Sequence, residues 1–392
     1  MTNRKQKRSG TKANHTLSRR APRPYDVVIV GAGPAGVGMG GILREYGLTN
    51  FVLVDRHEVG ASFMRWPREM RLITPSFTSN AFGLLDLNAV AMNTSPGFSL
   101  NREHPSGLEF AEYLRRVASM YKLPVRTGVD VTGVHQTERG FVVQTSEGDL
   151  ETRFVVWAAG EYQYPNRHPF PGADLCVHNT EVAAWEDLPG DRFTVIGGYE
   201  SGADAAIALV ARQRNVAVLA SEPTWESEHP DPSIALSPYT RERLARSFMS
   251  GLVTLESGAR ISLVEQREGI YVLRAEDGRT WESETQPILA TGFHGSLGLV
   301  DTLLEYDEAG HVTVSEAADE STVAPGFFIS GPMLRHRGVR FCFIYKYRQR
   351  FGVVGKAIAS RLGKPTADIV SVLRKEGMYL DELSGCEESC EC

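Results

Sequence analysis

Tyr25-Asp26-Val27-Val28-Ile29-Val30 runs directly into Gly31-Ala32-Gly33-Pro34-Ala35-Gly36. An apolar, β-branched run that ends in a glycine-rich turn and opens a helix is the start of a dinucleotide-binding unit. Each glycine has its own task. Gly31 permits the tight turn, Gly33 lets a pyrophosphate approach the backbone, and Gly36 lets the helix pack closely on the strand. Pro34 and Ala35 begin that helix, whose unpaired N–H groups and dipole favour the negative charge of a pyrophosphate. A second strand, Phe51-Val52-Leu53-Val54, ends at Asp55, 19 residues beyond Gly36. An acid there is placed to accept hydrogen bonds from the ribose hydroxyls of an adenosine.

The same plan occurs a second time. Phe193-Thr194-Val195-Ile196 leads into Gly197-Gly198-Tyr199-Glu200-Ser201-Gly202. Each copy later runs through a hairpin into a strand with a small-residue end, Trp157-Ala158-Ala159-Gly160 in the first and Leu289-Ala290-Thr291-Gly292 in the second. Two copies in matching contexts imply two dinucleotides on one chain, and hence electron transfer from a nicotinamide to a flavin. The second turn is the looser one. Tyr199 stands where the middle glycine belongs, and its side chain must turn outward to leave room for phosphates. Glu222, at the end of the following strand, suits a ribose diol and favours NADH. Arg241 or Arg243 offers a contact for a 2′-phosphate, so both NADH and NADPH stay open.

Composition sets the bounds. A chain of 392 residues is long enough for two or three domains with substantial cores. No apolar run approaches the roughly 20 residues that a membrane helix needs. The net charge of −6 is unevenly spread: eight basic and no acidic side chains lie in residues 1–24. The rest therefore carries 34 basic against 48 acidic residues, which argues against a nucleic-acid-binding body. The basic segment lacks an apolar stretch of its own, so it reads as a solvated tail rather than a secretion signal. Arg19-Arg20 suggests twin-arginine export, but the apolar run that follows is the first strand of the fold. Five cysteines do not form a secreted disulfide framework, and the expected setting is the cytoplasm.

The expected organisation is a basic tail at 1–23, the first part of an FAD-binding domain at 24–189, an inserted NAD(P)H-binding domain at 190–290, the rest of the FAD domain at 291–380, and an acidic cysteine-bearing tail at 381–392. The fold class is α/β, a three-layer Rossmann-like FAD domain with a Rossmann-like NAD(P) domain inserted. Residues 59–107 are poor in periodic pattern, and so long an irregular stretch is usually functional. Ser106 and Glu109 spell a capping box for the next helix, and a further helix is expected near 343–361.

These segments resemble the two-dinucleotide flavoprotein superfamily, and within it flavin-containing and Baeyer–Villiger monooxygenases with their relatives, the bacillithiol-disulfide-reductase-like proteins. Gly31–Gly36, Asp55 through Val59-Gly60-Ala61-Ser62-Phe63 to Trp66, Gly197–Asp204 and Ala290-Thr291-Gly292-Phe293 carry the resemblance, which covers about residues 24–360. It implies FAD and NADPH or NADH as cofactors. The binding residues it implies are Gly31, Gly33, Pro34, Ala35, Gly36, Asp55, Trp66, Gly160, Gly197, Gly198, Ser201, Gly202, Thr291, Gly292 and Gly331. Three departures stand out. The monooxygenase motif Phe-x-Gly-x-x-x-His is met only in part, since Phe170-Pro171-Gly172 is followed by His178 two residues late. A disulfide-type redox cysteine in the first turn is absent, because position 35 is alanine. Gly331-Pro332 stands where the family has Gly-Asp.

The leading expectation is a monooxygenase-like oxidoreductase that passes hydride from NAD(P)H to FAD and then activates dioxygen on a small-molecule substrate. Asn80, in the irregular stretch, and His178, in the linker, are the candidate catalytic residues. The main rival uses Cys386, Cys390 and Cys392 as a thiol-disulfide relay. The five carboxylates around them would raise thiol pKa values and blunt nucleophilicity, while three thiolates also suit a soft metal. A third reading is a flavin-bearing redox or metal sensor without turnover.

Overall fold

In the computed structural model, residues 23–77 and 85–384 are described. Asn80, the basic tail to residue 22, and Cys386, Cys390 and Cys392 lie outside them. The first sheet is built around the strand Tyr25–Val30, which pairs in parallel with Phe51–Asp55 on one side and Leu150–Trp157 on the other. Val27, Val28 and Ile29 are fully buried, because helices cover both faces of a parallel sheet and leave no polar side for the strand. Val125–Thr127 extends one edge. Beyond Leu150–Trp157 the strands Gly140–Thr145 and Val131–Thr137 fold back as an antiparallel hairpin. Phe327–Ile329 pairs in parallel with Val155–Trp157, so the chain returns to the first sheet after a long excursion.

That excursion forms the second unit. Arg192–Ile196, Asn215–Leu219 and Val253–Glu256 run parallel, with Ile288–Leu289 on the other side of Arg192–Ile196. Val177–His178 adds the outer strand next to Ile288–Leu289, so the second sheet recruits a strand from before residue 190. Two residues are too few to show a periodic pattern in the sequence, and only the sheet reveals them as a strand. Ile261–Arg267, Ile270–Ala275 and Thr280–Ser283 make a separate antiparallel sheet, matching the hairpin layer of the first unit.

The helix Pro34–Glu45 packs against Ile344–Arg361. Gly38 and Gly355 allow the approach: a Cβ on Gly38 would stand 2.2 Å from the Phe351 ring, and one on Gly355 2.5 Å from Ile42. The Ser106–Glu109 capping box closes as expected, with the Glu109 carboxylate accepting from the Ser106 amide at 2.8 Å. Among the described residues no helix is long and apolar enough to cross a membrane.

Candidate functional site

The two glycine turns share one local design. Gly31 and Gly197 take φ values of +106° and +113°, a region open to glycine and costly for other residues. A Cβ on Gly36 would lie 1.9 Å from the Gly31 carbonyl oxygen, and one on Gly202 lies equally close to that of Gly197. Gly33 and Tyr199 are the corresponding N-cap residues, both extended at φ −80° and −89°. The two turns therefore match in the conformation of their first glycine, of their N-cap residue and in the close packing at the third glycine. At Gly33 the space where a Cβ would project is open, which leaves a cradle for a phosphate at the positive end of the 34–45 helix.

Tyr199 does not project into such a space freely. Its hydroxyl donates to the Pro232 carbonyl, which ties the ring to the 231–233 loop. Gly198 lies under Trp225 and Ala220. Glu200 follows, half-buried at the helix start, accepting from the Ser237 amide and from the Thr240 hydroxyl at 2.6 Å. Burial pushes its pKa up, and those hydrogen bonds oppose the shift. Asp204, one turn on, is 4% exposed and paired with Arg243 at 3.1 Å. Burial raises its pKa too, against the pull of Arg243. Arg241 donates to the Ser227 carbonyl. Both arginines considered for a 2′-phosphate therefore already have partners.

One cavity of about 500 Å³ joins the two turns. Gly31, Gly33, Pro34 and Ala35 line it from the first unit, and Tyr199, Glu200 and Ser201 from the second. Asp55, Trp66 and Gly160 line it as well. Trp66 packs on Phe63 with ring centroids 4.7 Å apart, so it is both a wall and a packed aromatic. The Asp55 carboxylate accepts from the Ala32 and His57 amides at 2.8 Å each. It therefore stabilises the turn as well as presenting its remaining lone pairs to the cavity. Gly331, at φ +110°, backs directly onto Ala35. Thr291 donates to the Asn166 carbonyl at 2.8 Å, and Asn166 donates back to Gly292 at 2.9 Å. Those two residues clasp the connector behind the cleft, and Phe293 is the member of that segment in the cavity wall.

His178 does not line the cavity itself but packs edge-on behind Phe293, which does, with ring centroids 5.8 Å apart. It is 1% exposed, its Nδ1 meets the Thr180 hydroxyl at 2.9 Å, and burial lowers its pKa toward the neutral imidazole. Its neighbour Asn179 faces the cavity instead. Several wall residues carried no motif in the sequence: Glu161, Arg335, Arg340 and Cys342. Burial raises the Cys342 thiol pKa, which a hydrogen bond with Ser233 at 3.1 Å and nearby Lys346 offset in part. Cys176 is buried, with its thiol pushed up to about 12. Among the described residues no cluster of His, Cys, Asp and Glu is placed to hold a metal.

With this geometry in view, the comparisons with known proteins are consistent. Residues 28–331 match the family described as pyridine nucleotide-disulphide oxidoreductase. The chain belongs to that family. Its cofactors are FAD and NAD(P)H, and the two turns fit them: an open phosphate cradle at Gly33, and a matching backbone turn at Gly197–Gly202 on the same cavity. An uncharacterized oxidoreductase, CzcO, of Bacillus velezensis is 26% identical over 210 residues, which are 51% of this chain and 56% of that protein. The match thus spans little more than half of that relative. Bacilliredoxin reductase of Bacillus subtilis is 25% identical over 85% of this chain and 97% of its own. In structure, bacillithiol disulfide reductase from Staphylococcus aureus superposes with a TM-score of 0.71 at 18% identity, covering 86% of this chain and 99% of that one. A flavin-containing monooxygenase from Stenotrophomonas maltophilia superposes with 0.64 at 19% identity, over 86% and 98%. The fold is common to oxygenases and disulfide reductases.

Proposed function

We propose that this chain is an NAD(P)H-dependent flavoprotein oxidoreductase that delivers hydride to FAD and passes the electrons to dioxygen, in the manner of a monooxygenase. The observation that carries the first half is the single cavity onto which both dinucleotide turns open. Hydride transfer needs the two rings in contact, and one shared cleft permits it. FAD, when bound, supplies the redox chemistry. The chain's own residues bind and orient it: the helix starting at Pro34 meets the pyrophosphate, Asp55 the ribose, and Trp66 the ring side of the cleft. We also propose the 190–290 unit, with the outer strand Val177–His178, as the nicotinamide domain.

Dioxygen as acceptor is supported by the first turn, which has alanine at position 35 and so carries no redox thiol of its own. The second reading is a thiol or disulfide acceptor. Cys342 in the cavity wall and the similarity to nearly the whole of bacilliredoxin reductase favour it.

The test is stopped-flow absorbance on protein reduced anaerobically with NADPH and then mixed with oxygenated buffer. A transient spectrum distinct from both oxidised and reduced flavin supports oxygenation. Direct return to the oxidised spectrum, together with loss of disulfide-dependent NADPH oxidation when Cys342, Cys386, Cys390 and Cys392 become serine, supports the second reading and rejects the first.

A further inference from the structure

One side of the cleft is shaped by a short hairpin, Arg335–His336 against Val339–Arg340. Its two turn residues, Arg337 and Gly338, have φ of +49° and +84°, as a two-residue primed turn demands. Side chains alternate across a strand, so the register partners Arg335 and Arg340 share one face while His336 and Val339 share the other. The second face is clamped from behind. His336 Nε2 lies 2.7 Å from a carboxylate oxygen of Asp319, a fully buried group that also accepts from Arg350 at 2.7 Å.

The first face lines the cavity, and both arginines are in its wall. Like charges directly opposite one another across two strands destabilise a hairpin. Among the described residues neither arginine is in an ion pair with a carboxylate. Arg335 meets the His311 ring at 2.9 Å, and Arg340 donates to the Ser233 carbonyl at 3.3 Å. Burial and the neighbouring Arg340 both lower the Arg335 pKa. Two carboxyls act on Arg335, Asp307 and Glu161, and of these Glu161 lines the cavity. Burial raises the Glu161 pKa, and Arg335 pulls it back. Beside the hairpin the 18-residue helix Ile344–Arg361 begins, with no side-chain cap at Phe343. Phe343 and Ile344 are also in the cavity wall, so the positive end of that helix faces the same place.

We propose that Arg335 and Arg340 bind the carboxylate of an acidic organic substrate on this side of the cleft. The proposal deepens the flavoprotein reading and rests on it for the neighbouring chemistry. A planar carboxylate matches the fork of a guanidinium, and two forks held by one clamped hairpin fix its orientation. Tyr162 and Phe293 give the wall aromatic surface for a body behind that head group, while Asp55, Glu200 and Asp204 place carboxyl groups elsewhere in it.

The probe is benzoate, with benzamide as its neutral isostere, titrated into the FAD-loaded protein while the visible flavin spectrum is recorded. Benzoate is expected to perturb the spectrum with saturation, and benzamide to bind at least about tenfold more weakly, as a lost charge-assisted hydrogen bond requires. Arg335→Gln and Arg340→Gln should each weaken benzoate by about tenfold or more. Arg340→Lys, which keeps the charge and loses the fork, should fall between. Equal binding of benzamide, or unchanged benzoate binding in both glutamine variants, overturns the proposal. So does a tenfold loss of preference for NADPH over NADH in those variants, which would make the pair a reader of a cofactor phosphate. Calorimetric titration of benzoate reads the same affinities without the flavin. A protein that holds no flavin would therefore reject the flavoprotein reading while calorimetry still decides the fate of the arginine site.

Discussion

Gly36→Ala and Gly202→Ala form a matched pair of perturbations, because each adds one methyl group to the same place in one of the two turns. In both, the new Cβ would fall 1.9 Å from a carbonyl oxygen, that of Gly31 or of Gly197. Non-bonded heavy atoms settle near 3.5 Å, so each turn must open by more than an ångström. Overpacking of this kind costs about 1–3 kcal/mol. Where the strain falls on the phosphate cradle, that corresponds to roughly 5- to 150-fold weaker binding of the dinucleotide it holds. The assay has two readings: flavin-to-protein absorbance after desalting, and the affinity for NADH and NADPH in anaerobic titration. Gly36→Ala should lose flavin. Gly202→Ala should keep its flavin and weaken the nicotinamide. If Gly202→Ala binds NADH and NADPH within twofold of the parent chain, the second turn does not hold the nucleotide and the reasoning fails.

Three further outcomes are expected. Asp319→Ala strands Arg350 as a buried charge without its partner, at a cost of about 3–5 kcal/mol in chemical denaturation; a loss below 1 kcal/mol would show that the cluster clamps nothing. Glu200 has a folded-state pKa above its unfolded value, so the stability it lends is complete at low pH and declines as pH rises through the raised value. The stability of Glu200→Gln relative to the parent should therefore improve from pH 4.5 to pH 8, and a pH-independent difference would contradict the assignment. In a chain with Cys386, Cys390 and Cys392 replaced by serine, iodoacetamide should label Cys342 more slowly than a free thiol at neutral pH and faster as pH rises, because burial keeps it protonated; rapid labelling at neutral pH would mark it as a thiolate and strengthen the disulfide reading.

Much of the fold was legible because its signals are local. A fully buried parallel strand must be apolar throughout, and a turn that packs a helix onto a strand must carry glycine at fixed spacing. Tyr25–Gly36 and Phe193–Gly202 therefore announced themselves, as did the Ser106–Glu109 cap. Val177–His178 did not, since a two-residue edge strand owes its place to Ile288–Leu289, over a hundred residues away. The outer part of the site was hidden for the same reason. Arg335 and Arg340 sit in an unremarkable Arg-His-Arg-Gly-Val-Arg stretch, and only pairing across the hairpin turns them toward the cavity. Burial, which the sequence does not record, lowers the His178 pKa and raises that of Glu161. Tyr199 shows the converse. Its misfit to the glycine pattern was visible, but its remedy, a hydrogen bond to Pro232, needed the 231–233 loop in place.

The most direct test of the central claim is anaerobic rapid mixing of the FAD-loaded chain with NADH and, separately, NADPH, followed through the visible flavin absorbance. The account predicts saturable bleaching with at least one of the two, abolished or greatly weakened by Gly202→Ala while the flavin stays bound. A flavin that neither nucleotide reduces, at any concentration, would contradict it.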